Sequence, residues 1–219
     1  MQSSGNRLIY PAEGPAEAAL ILAHGAGAGQ RSPFMTTCAR GVSARGIDVM
    51  TFDFPYMTAK RRIPDRGATL ETCYREAIDS MRSEVASARR CLFIGGKSMG
   101  GRIATQLAVD PDLPIAGIVL LGYPLHPPGR PSELRTAHLP AIRRPMLFVQ
   151  GSRDTFGTPS ELQGILATLS PLPALYVVEG GDHSLRISRR DTALQARGDD
   201  EVQRRVAEWM LAISRGNDR

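Results

Sequence analysis

The sequence predicts an α/β fold, a mostly parallel sheet of about six to seven strands with helices on both faces. Three observations lead there. Short, uninterrupted apolar runs recur along the chain. Longer segments with apolar residues at three- and four-residue steps lie between them. Glycine or proline closes nearly every run. Uninterrupted rather than alternating runs suit strands covered on both faces, and strands alternating with helices suit a parallel wound sheet.

In chain order, "RLIYP" near the start is a candidate edge strand, and "AALILAH" (18–24) is a buried strand ended by Gly25. Ser32 and Pro33 offer an N-cap and a first-turn proline for a helix to about Arg45, with Gly46 as its stop. "IDVMTFDF" (47–54) is the next strand, ended by Pro55. Leu70, Cys73, Ala77, Met81 and Val85 mark a helix over about 69–89. "RCLFIGG" (90–96) precedes a helix that runs to about Val109 and stops at Asp110-Pro111. "IAGIVLLGY" (115–123) and "PMLFVQG" (145–151) are strands, followed by a helix over about 159–169. "ALYVVEGG" (174–181) is the last strand. Val202, Val206, Trp209, Met210 and Ile213 share one face of a final helix over about 199–214. Segments 55–68, 125–144 and 182–198 are longer than connections require, which points to functional loops.

With 219 residues, 42% hydrophobic and 22% charged, the chain is expected to form one domain (1–219, core about 18–214). The net charge of +5 is spread over short basic pairs and triplets. Aromatics are 5%, so the interleaved basic and aromatic stripe of a nucleic-acid binder is missing. Cys38, Cys73 and Cys91 are odd in number and widely spaced, which argues for a reducing compartment. The first residues show no apolar signal region, and no apolar run is long enough for a membrane span. The expectation is a cytoplasmic protein without nucleic-acid or membrane partners. The sequence leaves the oligomeric state open.

"CLFIGGKSMGGR" (91–102) holds two signatures in overlap. A phosphate loop needs glycine five positions before Gly96, where Cys91 stands, and slack backbone where an apolar strand runs. "HGAGAGQ" fails as a dinucleotide fingerprint because Gln30 holds the third glycine position. The G-x-S-x-G reading survives. A nucleophile elbow needs a strained turn between strand and helix with small neighbours, and Gly95, Gly96, Gly100 and Gly101 surround Ser98. The competing reading is a serine that merely caps the helix.

A nucleophilic serine needs a base and a carboxylate to orient it. In elbow architectures these follow as acid, then histidine, each after a strand. Asp154 follows "PMLFVQG" and His183 follows "ALYVVEGG". Among the rivals, His24 precedes the serine in a glycine turn, and His126 and His138 lie in the long insert with no strand after them. Asp182 adjoins His183 and Asp53 suits a loop-fixing role. The histidine spacings match no metal site. Oxyanion donors are expected at the N–H groups of Met99 and Ala26.

"HGAGAG", "GGKSMGG", "GSRDTFG" and "GGDHSL", in that order, resemble the α/β-hydrolase superfamily. "HGAGAGQRSPFM", "FDFPYMTAKRRIPDR" and "GKSMGGR" resemble a small bacterial group similar to the hydrolase-like domain of the KANL/Tex type and distantly to dienelactone hydrolase. The resemblance implies an α/β-hydrolase fold with an ancestral eight-stranded sheet reduced at the amino end, and a Ser98–Asp154–His183 triad. Dienelactone hydrolases use a cysteine nucleophile where this chain has Ser98, so lactone hydrolysis does not carry over.

The expected function is cleavage of a small ester or thioester by a serine hydrolase without cofactor or metal. Alternatives are a silent binding or scaffold protein of this fold, and an acyltransferase or peptidase. No large cap domain fits, because the insert 125–144 is a short proline-rich flap. Candidate substrate contacts are His24, Gly25, Lys60, Arg61, Arg62 and Lys97, the basic ones favouring an anionic substrate, with Arg102 in the same sense. A solvated patch is the competing reading of residues 60–62.

Overall fold

The computed structural model describes residues 2–4 and 6–217. Its eight strands are β1 (Gln2–Ser4), β2 (Arg7–Tyr10), β3 (Ala18–Ala23), β4 (Ile47–Phe52), β5 (Leu92–Lys97), β6 (Gly117–Leu121), β7 (Met146–Gly151) and β8 (Ala174–Val178). They form one sheet in the order β1-β2-β4-β3-β5-β6-β7-β8. β1 and β2 pair antiparallel at one end and the other six strands are parallel.

The helices are α1 (Pro33–Ser43), α2 (Pro55–Thr58), α3 (Gly67–Glu84), α4 (Ala86–Arg90), α5 (Met99–Leu107), α6 (Pro159–Leu166) and α7 (Thr192–Asn217). Alternate residues of each strand feed opposite faces. On β3, Ile21 joins the apolar layer under α3, α5 and α6, with Tyr74, Ile103 and Leu162. Leu20 and Leu22 join the layer under α1 and α7, with Met35, Val42, Val206 and Met210.

Three features differ from the sequence reading. The segment "RLIY" is not the edge, because β1 pairs outside it and brings the sheet to one strand more than expected. The amino end is therefore not reduced. The helix expected over 69–89 breaks at Val85, which is extended (φ −120°, ψ 120°). The break redirects α4 so that Ser87 donates to Asp48 Oδ2 at 2.6 Å and Ala88 is buried. The final helix begins at Thr192, not near 199, and absorbs much of the loop expected there.

The topology fixes where a site can lie. From β3 the chain crosses to β4 on one side, then returns past β3 to β5 on the other. The carboxyl ends of β3 and β5 thus flank the point where winding reverses, the usual ligand crevice of an open α/β sheet. Register places Ala23 opposite Gly96, so the loops after both strands leave the sheet side by side.

Candidate active site

Ser98 stands between β5 and α5 with φ 49° and ψ −114°. A serine gains nothing from that left-handed region by itself, so the surroundings enforce it. Its N–H donates to Leu121 O at 3.0 Å, and its carbonyl accepts the first helical bond from Arg102 at 3.0 Å. The turn also needs close backbone approach. A Cβ on Gly100 would sit 2.5 Å from Ala23 O and 2.7 Å from His24 O. The side chain of Ser98 caps nothing, which removes the helix-cap alternative.

Ser98 Oγ lies 2.8 Å from His183 Nε2. His183 Nδ1 lies 2.8 Å from Asp154 Oδ2 and 3.0 Å from Oδ1. With the proton on Nδ1 donated to the carboxylate, Nε2 presents a lone pair to the serine hydroxyl. Asp154 is 1% exposed and has two further donors. Phe156 N–H reaches Oδ1 at 2.8 Å, and Gln150 Nε2 reaches Oδ2 at 2.8 Å. Gln150 is itself fixed, because its Oε1 accepts from Tyr123 N–H at 2.9 Å and its Nε2 also donates to Gly157 O at 2.8 Å. The Phe156 ring stacks on the imidazole with centroids 4.0 Å apart and planes at 25°. Asp182 Oδ1 accepts from the N–H groups of Ser184 (2.7 Å) and Arg186 (3.0 Å), so it closes the histidine's turn.

Lys97 Nζ donates to His183 O at 3.2 Å and lies 5.3 Å from the centroid of the Phe34 ring. Burial pushes the Lys97 pKa below its ordinary value, opposed by the negative charges of Asp154 and Asp182. Lys97 therefore braces the histidine loop.

The loop after β3 is built from the other side. His24 is fully buried; its Nε2 accepts from Phe54 N–H at 3.1 Å, so Nδ1 carries the proton and donates to Gly25 O at 2.7 Å. Burial pushes the His24 pKa down. Tyr56 Oη donates to Ala26 O at 2.9 Å. Asp53 Oδ1 accepts from Gln30 N–H at 2.7 Å and Oδ2 from Gln30 Nε2 at 3.1 Å, which pins the loop's far end. The Gly25 carbonyl and the Ala26 N–H belong to one trans peptide and point in opposite directions. With the carbonyl drawn toward His24, the Ala26 N–H turns away from that partner. Among the described residues neither Ala26 N–H nor Met99 N–H, at the first position of α5, has a hydrogen-bond partner.

A cavity of about 870 Å³ opens over Ser98, and Gly25, Ala26, Met99 and His183 line it. One half runs between α1 and α7, past Phe34, Met35, Cys38, Leu185 and Val202. Burial and the charge of Asp199 push the Cys38 thiol up to about 12. The other half is bounded by Leu70, Pro124, Phe156, Arg102 and Arg135.

The structure parts from the sequence reading at several substrate contacts. Lys60, Arg61 and Arg62 are exposed and do not line the cavity. After α2 the chain turns outward at Lys60 (φ 55°), and Arg61 pairs with Asp65 at 2.6 Å. His24 is a buried brace with both ring nitrogens committed, not a substrate contact. Gly25 and Lys97 do line the cavity. His126 and His138 lie elsewhere, the latter 2.8 Å from Thr105 Oγ1. Sequence reasoning missed Gln150, Phe156, Arg135 and the α7 residues Gln195, Asp199 and Gln203. Gln150 and Phe156 stood in or beside the "PMLFVQG" and "GSRDTFG" segments around Asp154, while the others were near no recognised motif. Among the described residues no group of three or more His, Cys, Asp or Glu is arranged to hold a metal, and no helix is long and apolar enough to cross a membrane.

Comparison with known proteins matches residues 16–211 to the family described as the alpha/beta hydrolase domain. Several solved structures share the fold at low identity. An α/β serine hydrolase homologue from Coxiella burnetii is 16% identical with TM-score 0.72, covering 94% of each chain. An α/β serine hydrolase without a lid, from Xanthomonas campestris, is 19% identical with TM-score 0.68, over 91% of this chain and 88% of that one. A dienelactone hydrolase from Anabaena variabilis is 17% identical with TM-score 0.72, over 94% and 90%.

Proposed function

The chain belongs to the alpha/beta hydrolase family, and from that premise we propose that it is a serine hydrolase of small esters or thioesters. The observation that carries the reading is the 2.8 Å approach of His183 Nε2 to the hydroxyl of a serine held at positive φ. Ser98 Oγ attacks the acyl carbonyl while His183 Nε2 takes its proton. Asp154 keeps the imidazole in the required tautomer and steadies the imidazolium. The N–H groups of Ala26 and Met99 receive the negative charge of the tetrahedral intermediate, each worth about 3 kcal/mol of transition-state stabilisation. The imidazolium then protonates the departing alcohol or thiol. Water attacks the acyl-enzyme by the same proton route and releases the acid.

Acyl chemistry suits the cavity. Phe34, Met35, Leu185 and Val202, between α1 and α7, give the cavity an apolar wall for an acyl chain, beside the polar Gln195, Asp199 and Gln203. The test is turnover of p-nitrophenyl acetate together with labelling by a fluorophosphonate. Wild type is expected to hydrolyse the ester and take one label at Ser98, and Ser98→Ala is expected to do neither. A folded wild-type protein that neither turns over short esters nor accepts the label would leave a binding fold without hydrolytic function.

A further inference from the structure

We propose that Arg102 and Arg135 form a subsite for an anionic group, a carboxylate or a phosphate, on the leaving-group side of the substrate. The proposal rests on the hydrolase reading and names its substrate class. Arg102 lies one helical turn beyond Ser98, and its N–H closes the first turn of α5 onto Ser98 O at 3.0 Å. Arg135 comes from the insert on the opposite rim, and its backbone is pinned at both groups. Its N–H donates to Leu125 O at 2.8 Å, and its carbonyl accepts from the buried Tyr123 Oη at 2.7 Å.

Both guanidiniums are half-buried, both line the cavity, and neither makes a hydrogen bond or ion pair from its side chain among the described residues. Burial and the nearby charge of Arg102 hold the Arg135 pKa below its ordinary value, opposed by Tyr123 and Glu133. Two carboxylates near the cavity already pair with other arginines: Glu133 with Arg130, although its charge also reaches Arg135, and Asp65 with Arg61 through Oδ1, while its buried Oδ2 has no hydrogen-bond partner among the described residues. Asp199 lies in the other half of the cavity, hydrogen-bonded by Gln195. Lys97 is spent on the histidine loop. Two like charges that line one cavity, neither side chain in an ion pair or hydrogen bond of its own among the described residues, form a site that an external anion completes. The planar forks of arginine match carboxylate and phosphate oxygens in pairs. The apolar wall of Phe34, Met35, Leu185 and Val202 takes the acyl chain, and the carboxylate of Asp199 beside it disfavours an anion there, so the anion falls on the alcohol or thiol side.

Two matched pairs of probes test this. The substrates are 4-acetoxybenzoate and its neutral isostere 4-acetoxybenzamide, compared by kcat/KM at low salt. The ligands are 4-acetamidobenzoate and 4-acetamidobenzamide, which present an amide where the substrates carry the ester, compared by calorimetric Kd on Ser98→Ala. The anion is expected to be favoured by about 10- to 100-fold, the range of one charge-assisted pair. The preference is expected to shrink with added salt and to collapse toward one in Arg102→Gln/Arg135→Gln. Arg102→Lys, which keeps the charge and loses the fork, should retain part of it; circular dichroism and melting check that each variant folds. 4-Acetoxyphenyl phosphate, run beside the benzoate, tells phosphate from carboxylate by which is turned over more efficiently.

Ester turnover without anion preference in either assay, or a preference undiminished in the double variant, overturns the subsite and leaves the hydrolase reading standing. Anion-selective binding without any ester turnover upholds the subsite and removes the hydrolase reading.

Discussion

Asp154→Asn isolates what the buried carboxylate does, because the replacement has nearly the same shape. Both oxygens of Asp154 face donors. Oδ1 accepts from Phe156 N–H, Oδ2 from Gln150 Nε2, and both lie within 3.0 Å of His183 Nδ1. An asparagine must put its NH₂ on one side or the other. Toward Phe156 it meets a fixed backbone N–H. Toward Gln150 it meets an amide that cannot flip without losing its bonds to Tyr123 N–H and Gly157 O. In that second orientation the asparagine also donates to His183 Nδ1. The imidazole proton then sits on Nε2 and points at Ser98 Oγ, where no base remains. Opposed buried donors cost about 1–3 kcal/mol. For a chain of this size that lowers Tm by about 2–12 °C. The wrong tautomer removes about 10³- to 10⁴-fold from kcat. Ester hydrolysis by stopped assay and melting by circular dichroism read the two effects separately. A variant that keeps more than about a tenth of wild-type kcat, with the histidine still facing residue 154, would refute the assigned role.

Gly100→Ala drives a Cβ to 2.5 Å from Ala23 O with backbone on every side, and the expected cost is about 3 kcal/mol or more, read as loss of soluble protein or a large drop in Tm. Tyr74→Phe strips the hydroxyl that accepts from Gly95 N–H at 2.9 Å and donates to Gly95 O at 2.6 Å; urea unfolding should show about 1–3 kcal/mol lost, and an unchanged midpoint contradicts it. Lys97→Met keeps the apolar stem but drops the bond to His183 O, so kcat should fall about tenfold with KM little changed; a pure KM effect would place the lysine on substrate instead. Burial lowers the folded pKa of His24 below its unfolded value of about 6.5, so the unfolded chain binds more protons between the two. Stability from this residue is complete above that upper value and falls as pH drops below it, by up to about 1.4 kcal/mol per unit, and His24→Gln should flatten the slope of Tm between pH 7 and 5.

The sheet was legible because its strands are covered on both faces, and such strands announce themselves as unbroken apolar runs. What escaped were elements whose signal is weak or split. β1 has only three residues, too few for any pattern. The first two turns of α7 were obscured by Gly198, which ordinarily discourages a helix. Here its missing side chain is filled by a neighbour, since a Cβ there would stand 2.4 Å from Ile187 Cδ1. That tertiary fit overrides local propensity, and no reading of the chain alone exposes it.

The site divides along the same line. Ser98, Asp154 and His183 could be singled out because each follows a recognisable strand and their order is constrained. Of the two arginines proposed to bind an anion, Arg102 stands beside the elbow and is a candidate from the sequence, whereas Arg135 has no such anchor. The basic triplet at 60–62 is a candidate anion contact from the sequence, against a solvated patch, because it follows a strand end and its charges are adjacent. Adjacency says nothing about direction, and a left-handed turn at Lys60 carries the triplet to solvent. Arg102 and Arg135 are 33 positions apart. Arg135 reaches the cavity because the Tyr123 hydroxyl, just after β6, ties down its carbonyl and Leu125 O accepts from its N–H. The residues proposed for the chemistry follow strands and leave a trace in their pattern, and Arg102 shares it on α5, whereas Arg135 sits on irregular backbone whose carbonyl is tethered by the Tyr123 hydroxyl. Cutting that tether with Tyr123→Phe should therefore weaken anion preference more than turnover of the neutral ester, because the hydroxyl reaches Arg135 O while only the Tyr123 backbone N–H and carbonyl meet Gln150. Equal loss on both substrates would mean that the tyrosine hydroxyl supports the histidine and aspartate as well, and that chemistry and selection are not separable in this fold.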